Sequence, residues 1–305
     1  MAAYAIRRLL GAIPTLFIIV TIAFFMMRVA PGGPFDQERT LEATVMANLN
    51  ATFGLDKPLW QQYFMYLGNL FQGDMGPSFI YRDLRVHQIL GEGLPVSMAL
   101  GAWALVVALV FGTLLGTIAA LRQNSTTDFA VIAVATFGIT VPNFVVAPVL
   151  SLVFAVILSW LPAQGWGDWN QMILPVIALA LPQMAVVARL IRGSMIEALR
   201  SDHVRTARAY GLPNRIVVVK HALRAAILPV VSYLGPAAAA LLTGSIVVEQ
   251  VFNLPGIGRF FVQGALNRDY TLVMGTVVIV AVFVVVFNLI VDLLYAALDP
   301  RVRYD

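Results

Sequence analysis

Six stretches of this 305-residue chain run without a charged side chain for long enough to cross a bilayer. They are 9–27, 93–121, 129–167, 169–188, 225–248 and 270–291, and each exceeds the roughly 18 uncharged, apolar residues that mark a spanning helix. Their apolar residues are continuous and rich in Leu, Val and Ala, not alternating in segments of about 10 like the strands of a membrane barrel. The 129–167 stretch could hold two spans by length. It runs out near Trp160 into Leu-Pro-Ala-Gln-Gly-Trp-Gly-Asp-Trp, a turn-rich segment whose tryptophans suit the membrane–water interface. The pattern predicts an all-α polytopic membrane protein with six transmembrane helices.

Composition agrees: the chain is 60% hydrophobic and 12% charged, against roughly 45–50% and about 25% in soluble domains. With no cysteine there is no disulfide framework, thiolate metal cluster or thiol nucleophile. The net charge of +4 is read by loop and not as a signal for nucleic acid. Placing both termini inside puts 13 of the 20 Lys and Arg in the cytoplasm, eight of them between Arg189 and Arg224. The first apolar run exceeds the usual 7–15 residues of a signal peptide and leads into Pro31, so it reads as a retained span. The chain divides into an N-terminal end and first helix at 1–30, an external loop at 31–95 and a five-helix core at 96–305, which carries a cytoplasmic segment at 193–224.

In the external loop Leu41, Val45 and Leu49 repeat at helical spacing. After Asp56 as N-cap and Pro58 in the first turn, Leu59, Tyr63, Tyr66, Leu67 and Leu70 form a second apolar stripe, with Trp60, Phe64 and Phe71 beside it. Two amphipathic helices follow, either lying on the bilayer surface or forming a platform for an external protein. In the cytoplasmic segment, residues 203–210 predict a short helix ended by Gly211 and stopped by Pro213, and a second runs from about Asn214 to Leu223. The product is a basic knob, either retention charge or a handle for a soluble partner, with Ala207 and Gly211 allowing close approach.

Arg205-Thr206-Ala207-Arg208-Ala209-Tyr210-Gly211, followed by His221-Ala222-Leu223-Arg224, resembles the cytoplasmic coupling motif of binding-protein-dependent ABC importer permeases in their peptide-importer branch. Ala207, Gly211 and Leu223 keep the family pattern; Arg205 stands where the general family has Glu, and Arg224 where it has Pro. The likeness extends to the N-terminal Arg-Arg-Leu-Leu-Gly-Ala-Ile-Pro-Thr-Leu, Arg28-Val-Ala-Pro-Gly-Gly-Pro-Phe, Gly54-Leu55-Asp56-Lys57-Pro58, Gly73-Asp74-Met75-Gly76-Pro77-Ser78, Phe252-Asn253-Leu254-Pro255-Gly256-Ile257-Gly258 and Asn267-Arg268-Asp269-Tyr270. Phe25-Met26-Met27-Arg28 and Gly193-Ser194-Met195-Ile196-Glu197 look most like the B-type membrane subunit of oligopeptide importers.

The resemblance implies an ABC type I importer permease fold in the bacterial inner membrane, both termini cytoplasmic. It implies a second homologous permease, two cytoplasmic subunits that bind ATP and Mg, and a periplasmic peptide-binding protein. Oligopeptide is the implied cargo, with dipeptides, murein peptides, nickel and haem as the branch's alternatives. ATPase coupling falls on Arg205, Thr206, Ala207, Arg208, Tyr210, Gly211 and Leu212, and docking of the binding protein on Trp60, Asp74, Pro255, Arg268 and Asp269.

The residues themselves agree with a pore that borrows its energy. The chain has no Gly-x-x-x-x-Gly-Lys-Ser/Thr nucleotide cradle, and Glu249 and Asp292 sit near span ends instead of the midplane where ion-coupled transporters place functional acids. His87, His203 and His221 lie far apart in loops and form no zinc-protease motif; Ser194 and Ser245 lie in no Gly-x-Ser-x-Gly elbow. No catalytic or metal site is expected in this chain. Polar and helix-breaking span residues mark the candidate path: Thr140, Asn143, Tyr233, Thr243, Ser245 and Asn288, with Pro142, Gly235, Pro236 and Gly244. Tight interhelical packing accounts for each of them equally well. A self-sufficient secondary transporter and a membrane scaffold are the rival readings.

Overall fold

The computed structural model describes residues 2–29, 43–81, 84–242 and 246–298. Among these the chain is helical apart from turns and one isolated bridge between Pro77 and Arg85. Helix α1 spans Ala2–Val29, α2 Ala43–Thr52 and α3 Leu59–Phe71. The two loop helices follow the predicted stripes, although Leu41 lies outside the described residues. The cap of α3 differs from expectation: Pro58, not Asp56, occupies it, and the Pro58 carbonyl accepts from the N–H groups of Gln61 and Gln62 at 2.9 and 3.1 Å. Proline's fixed φ and missing N–H suit that entry position.

Helix α4 (Val86–Leu121) begins before the predicted 93, because Glu92 sits on an exposed face and interrupts nothing. Helix α5 (Thr126–Thr140) starts under a Ser125 side chain that accepts from the Asp128 N–H at 3.3 Å. The predicted third span is not one rod. It breaks after Thr140 and bends by 106° into α6 (Asn143–Leu150), which widens into a π-helical stretch over Ser151–Ile157. Pro142 causes the break, since it offers no N–H and forces Val141 into extended backbone at ψ 119°.

Helix α7 (Trp169–Arg200) opens with a capping box between Asp168 and Gln171 and continues well past the predicted end at 188. A gap between charges marks only the apolar part of a helix; Arg189 and Arg192 extend α7 beyond it. Residues 193–200 of the expected coupling segment are therefore its last turns. Then come α8 (Asp202–Ala209), α9 (Asn214–Ile216), a π-helical run over Val217–Ala222, α10 (Leu223–Ala226), α11 (Leu228–Leu242), α12 (Ile246–Val251), α13 (Ile257–Leu266) and α14 (Tyr270–Leu298). Among the described residues five helical stretches are long and apolar enough to cross a membrane, and the bent α5–α6 pair supplies a sixth.

The bundle is organised on α4 and α7. At Gly112 an added methyl group would lie 2.8 Å from the Met184 carbonyl oxygen and from Val187, and at Gly116 it would press still closer on the Ala188 carbonyl. This Gly-x-x-x-Gly step brings two backbones into contact, the device by which helices associate where lipid removes the hydrophobic drive. Leu100, Ala104, Ala108, Leu174, Ala178 and Leu179 continue the same core toward the end that carries α12 and α13. Around α7, Gly138 of α5 lies on Leu181 and Ala185, and Val230 of α11 packs with Val187 and Ile191. Replacing Gly116 with leucine is expected to lower the thermal stability of the assembled protein sharply. Gly91→Ala, at a site with open space beside it, is expected to leave the melting curve in place.

Candidate functional site

The knob is built by short local rules. Ser201 adopts extended backbone and separates α7 from α8. After α8 the chain passes Tyr210 and turns at Gly211, whose φ of +72° belongs to the left-handed region that glycine alone enters freely. Pro213 then opens α9. Nothing stands within 4 Å of a Cβ at Gly211, so conformation and not space selects glycine there.

Val204 and Ala207 turn inward, buried against Val217, Val218 and Ala222 and against Met195 and Ala198 of α7. This corrects one expectation: the small side chain of Ala207 seats α8 on its own chain and is not offered to a partner. The outward surface carries Arg205, Thr206, Arg208, Tyr210 and Leu212, joined by Arg215 and Ile216. Tyr210 is 80% exposed. Thr206 donates to the Asp202 carbonyl at 2.9 Å, and Arg205 faces the Asp202 carboxylate at 3.4 Å in full water, where such a pair contributes little. The result is an apolar tip ringed by arginines, held rigidly at the junction of α7 and the helix leading into α11.

The described candidate path residues are held by separate local contacts. The Thr140 hydroxyl donates back to the Thr136 carbonyl. Asn143 sits at the α5–α6 break with its Oδ1 buried and no protein partner. Tyr233 donates to the Gln183 Oε1, tying α11 to α7; Gln183 escaped the sequence reading, since one amide in an apolar run gives no periodic signal. Asn288 lies against Gly235 at the α11–α14 seam, its Oδ1 2.9 Å from where a methyl group at Gly235 would stand. Thr243, Gly244 and Ser245 lie outside the described residues.

At the end of the bundle opposite the knob, two buried carboxylates organise the short helices. Glu249 is fully buried. It accepts from Ser97 Oγ of α4 at 2.6 Å and from the N–H groups of Gly258 and Arg259 at 2.8 and 3.3 Å, closing the N-terminus of α13. Ser97 Oγ in turn accepts from the Ile257 N–H at 3.0 Å. A methyl group at Gly256 would stand 2.6 Å from Ser97 Oγ and nearer still to the Glu249 carboxyl. That closeness explains the glycines of Pro255-Gly256-Ile257-Gly258. The sequence placed Glu249 near a span end but gave no sign of its partners. The side chain of Asp292 is outside the described residues.

Asp269 is also fully buried. It accepts from Ser78 Oγ, from Thr271 Oγ1 at 2.8 Å and from the Leu272 N–H at 3.1 Å, capping α14 and pinning the 77–78 segment. It is therefore a structural latch and presents nothing to a partner, contrary to its expected docking role. Asp74 pairs with Arg85 and accepts from the Gly76 N–H at 3.0 Å. That N–H above all, with Arg85 adding and desolvation opposing, holds its carboxyl below the usual carboxylate range. Pro255 and Trp60 are exposed, and Arg268 is partly so, at a φ of +58°.

Near the knob, Arg192 of α7 binds Asp128 of α5 through two hydrogen bonds of 2.5 and 2.7 Å, and Asp128 also accepts from the Asn124 N–H at 2.9 Å. The Asp128 side chain is 2% exposed. Arg192 belongs to the basic run from Arg189 to Arg224, whose spacing marks no ion-pair partner; Asp128, an isolated acid at the foot of a span, is the available signal. Among the described residues no cluster of His, Asp or Glu is arranged to hold a metal ion.

The chain matches the model of binding-protein-dependent transport system inner membrane components over residues 112–304, and that family's N-terminal model over residues 1–100. It is 52% identical to the oligopeptide transport system permease protein OppB of Escherichia coli K12 and 51% identical to OppB of Haemophilus influenzae, with complete coverage of both chains in each case. A dipeptide transport system permease protein, DppB of Lactococcus lactis, is 45% identical over 99% of this chain and all of its own. Among solved structures, an amino acid ABC transporter crystallised with histidines superposes with a TM-score of 0.50, covering 70% of this chain and 94% of that one at 19% identity, a likeness of fold.

Arg192→Gln is expected to lower the thermal stability, because it removes the cation that pairs with the Asp128 carboxylate. The double variant with Asp128→Asn is expected to recover part of that loss; thermal unfolding of the purified assembly measures both.

Proposed function

This chain belongs to the family of binding-protein-dependent transport system inner membrane components, and from that premise we propose that it forms half of the translocation path of an ATP-driven oligopeptide importer. The other half is a second homologous permease. Two cytoplasmic subunits bind ATP and Mg and grip the knob, and an external peptide-binding protein delivers cargo at the opposite end. Both termini and the knob are cytoplasmic, in keeping with the basic charge around α8. The full-length likeness to two oligopeptide permeases supports oligopeptides over dipeptides as cargo. This chain contributes no catalytic group; the work of ATP hydrolysis belongs to its partners.

The observation that carries the coupling role is the rigid seating of α8. Val204 and Ala207 lock it to α7 and to the helical run that continues into α11. A displacement of Tyr210, Leu212 and the surrounding arginines by a closing ATPase pair therefore moves α7 and α11 together instead of flexing a loop. Those helices carry the Tyr233–Gln183 tie and pack along α4, so the push reaches the bundle's middle. ATP binding then opens the two permeases outward to receive peptide, and resetting after hydrolysis releases it inward.

Gly211→Val tests this. A β-branched residue in the left-handed region costs roughly 1–2 kcal/mol or more and redirects the corner after α8, while the free space there lets the chain fold and insert. The variant is expected to reach the membrane, retain ATPase activity in the assembled complex and lose most oligopeptide uptake. Gly211→Asn, which tolerates positive φ, is expected to keep most of it. Normal uptake by Gly211→Val would remove the coupling role.

A further inference from the structure

Helix α3 has two faces of different fate. One packs into the bundle: Tyr63 is buried with Phe24 of α1 and Met274 of α14, with Tyr66 and Leu67 packed around them. The Tyr63 hydroxyl and Thr21 Oγ1 share a hydrogen bond of 2.6 Å. The other face carries Trp60, Phe64 and Phe71, which are 60, 64 and 85% exposed. No charged residue occurs from Leu59 to Phe71, whereas Asp56 and Lys57 precede the helix and Asp74 follows it. Three bare aromatic rings on a helix without a charge call for a cover.

The contacts with α1 set the depth of this helix. Thr21 and Phe24 lie roughly 12 and 7 Å below Val29 at the end of the apolar run, from a rise of about 1.5 Å per residue. An interfacial helix buries its apolar face about 5–10 Å into the boundary between headgroups and acyl chains. Arg28 marks the polar level, its guanidinium turned back over the Phe24 ring at 5.4 Å.

The exposed face also adjoins an apolar surface of α1. Ile18, Ile22, Phe25 and Met26 form the exposed side of the α1 span. Phe25 meets Tyr63 at 5.4 Å between ring centres, and Tyr63 meets Phe64 at 5.6 Å. Aromatic belts of Trp and Tyr mark this level of membrane proteins because their rings are apolar and their polar edges tolerate water. The helix carries Gln61, Gln62 and Asn69 as its polar side chains and none that is charged.

We propose that α3 is an interfacial anchor lying in the headgroup layer at the end of the bundle opposite the knob, where phospholipid, and not a docking protein, covers Trp60, Phe64 and Phe71. This assigns Trp60 to the membrane instead of to the binding-protein site suggested by its loop. The anchor fixes the end of α1 against α14 through Tyr63. Binding-protein docking is left to the surface around Pro255 and Arg268. The proposal stands on the packing of α3 and does not depend on the cargo or on the ATPase.

The absence of cysteine makes the test direct. Phe64→Cys, with Ile18→Cys as lipid reference and Lys57→Cys as water reference, is labelled with a nitroxide in the assembled complex in nanodiscs. Collision with oxygen and with a water-soluble nickel chelate is then compared. The Phe64 label is expected to prefer oxygen several-fold, as the Ile18 label does, with no change when the external binding protein is added. Preference for nickel, as at Lys57, would overturn the proposal, and nickel access lost only on adding the binding protein would replace it with a docking face. Should Phe64→Cys fail to assemble, brominated-chain lipids serve instead. The Trp60 contribution, the fluorescence lost in Trp60→Phe, is expected to be quenched several-fold by them, and a contribution equal in ordinary and brominated lipid would refute the anchor.

Discussion

The contact of α4 with α7 through Gly112 and Gly116 is the constraint on which the rest of this bundle depends. Inside a membrane apolar surface gains nothing by leaving lipid, so helices associate where backbones can touch and dispersion contacts are densest. Here two missing side chains place α4 on Met184 and Ala188, and that register then fixes the others. Met184, Val187, Ala188 and Ile191 of α7 face α4, α5 meets α7 along Leu181 and Ala185, and Val230 of α11 packs beside Val187 and Ile191. The knob hangs from the end of this same helix.

Polar ties then close the two ends of the apolar bundle. At one end Glu249 and Asp269 each occupy a helix N-terminus and a serine hydroxyl from elsewhere in the chain, so that α12, α13, α14, α4 and the 77–78 segment become one piece. At the other end Asp128 and Arg192 join α5 to α7. A buried charge costs several kcal/mol unless it is paired or fully hydrogen-bonded. These arrangements satisfy the charges, and they favour ends that move as units over ends that fray. Both Asp269 and Ala207 stand in loop motifs that read as partner-facing, and in both cases the residue serves its own chain.

Much of the fold was legible in the sequence because charge spacing and helical periodicity are strong signals in a membrane chain. The six spans, the two loop helices and the Gly211 corner all follow from them. The errors have local causes. A proline between two apolar runs leaves hydropathy unchanged, so the bend at Val141–Pro142 was invisible to a charge-gap argument although Pro142 itself was noticed. Charge gaps fall short of the ends of α4 and α7, because Glu92 and Arg189 lie on exposed faces of longer helices. The residues of the site were less legible, because Glu249 meets Ser97 across 152 positions and Tyr233 meets Gln183 across 50. Pairings at such separation leave no periodic trace in one chain.

The central claim is that this chain is a passive half-pore driven from its cytoplasmic knob. Its most direct measurement is purification of the tagged, full chain from its native membrane in a mild detergent, with every stoichiometric partner identified by mass spectrometry. The account predicts one second six-span permease and two chains carrying a Gly-x-x-x-x-Gly-Lys-Ser/Thr nucleotide cradle, all lost together when Tyr210 and Leu212 are replaced by charged residues at the knob, except the permease. Recovery of the chain alone, or only as copies of itself, under conditions that preserve other membrane complexes would contradict it.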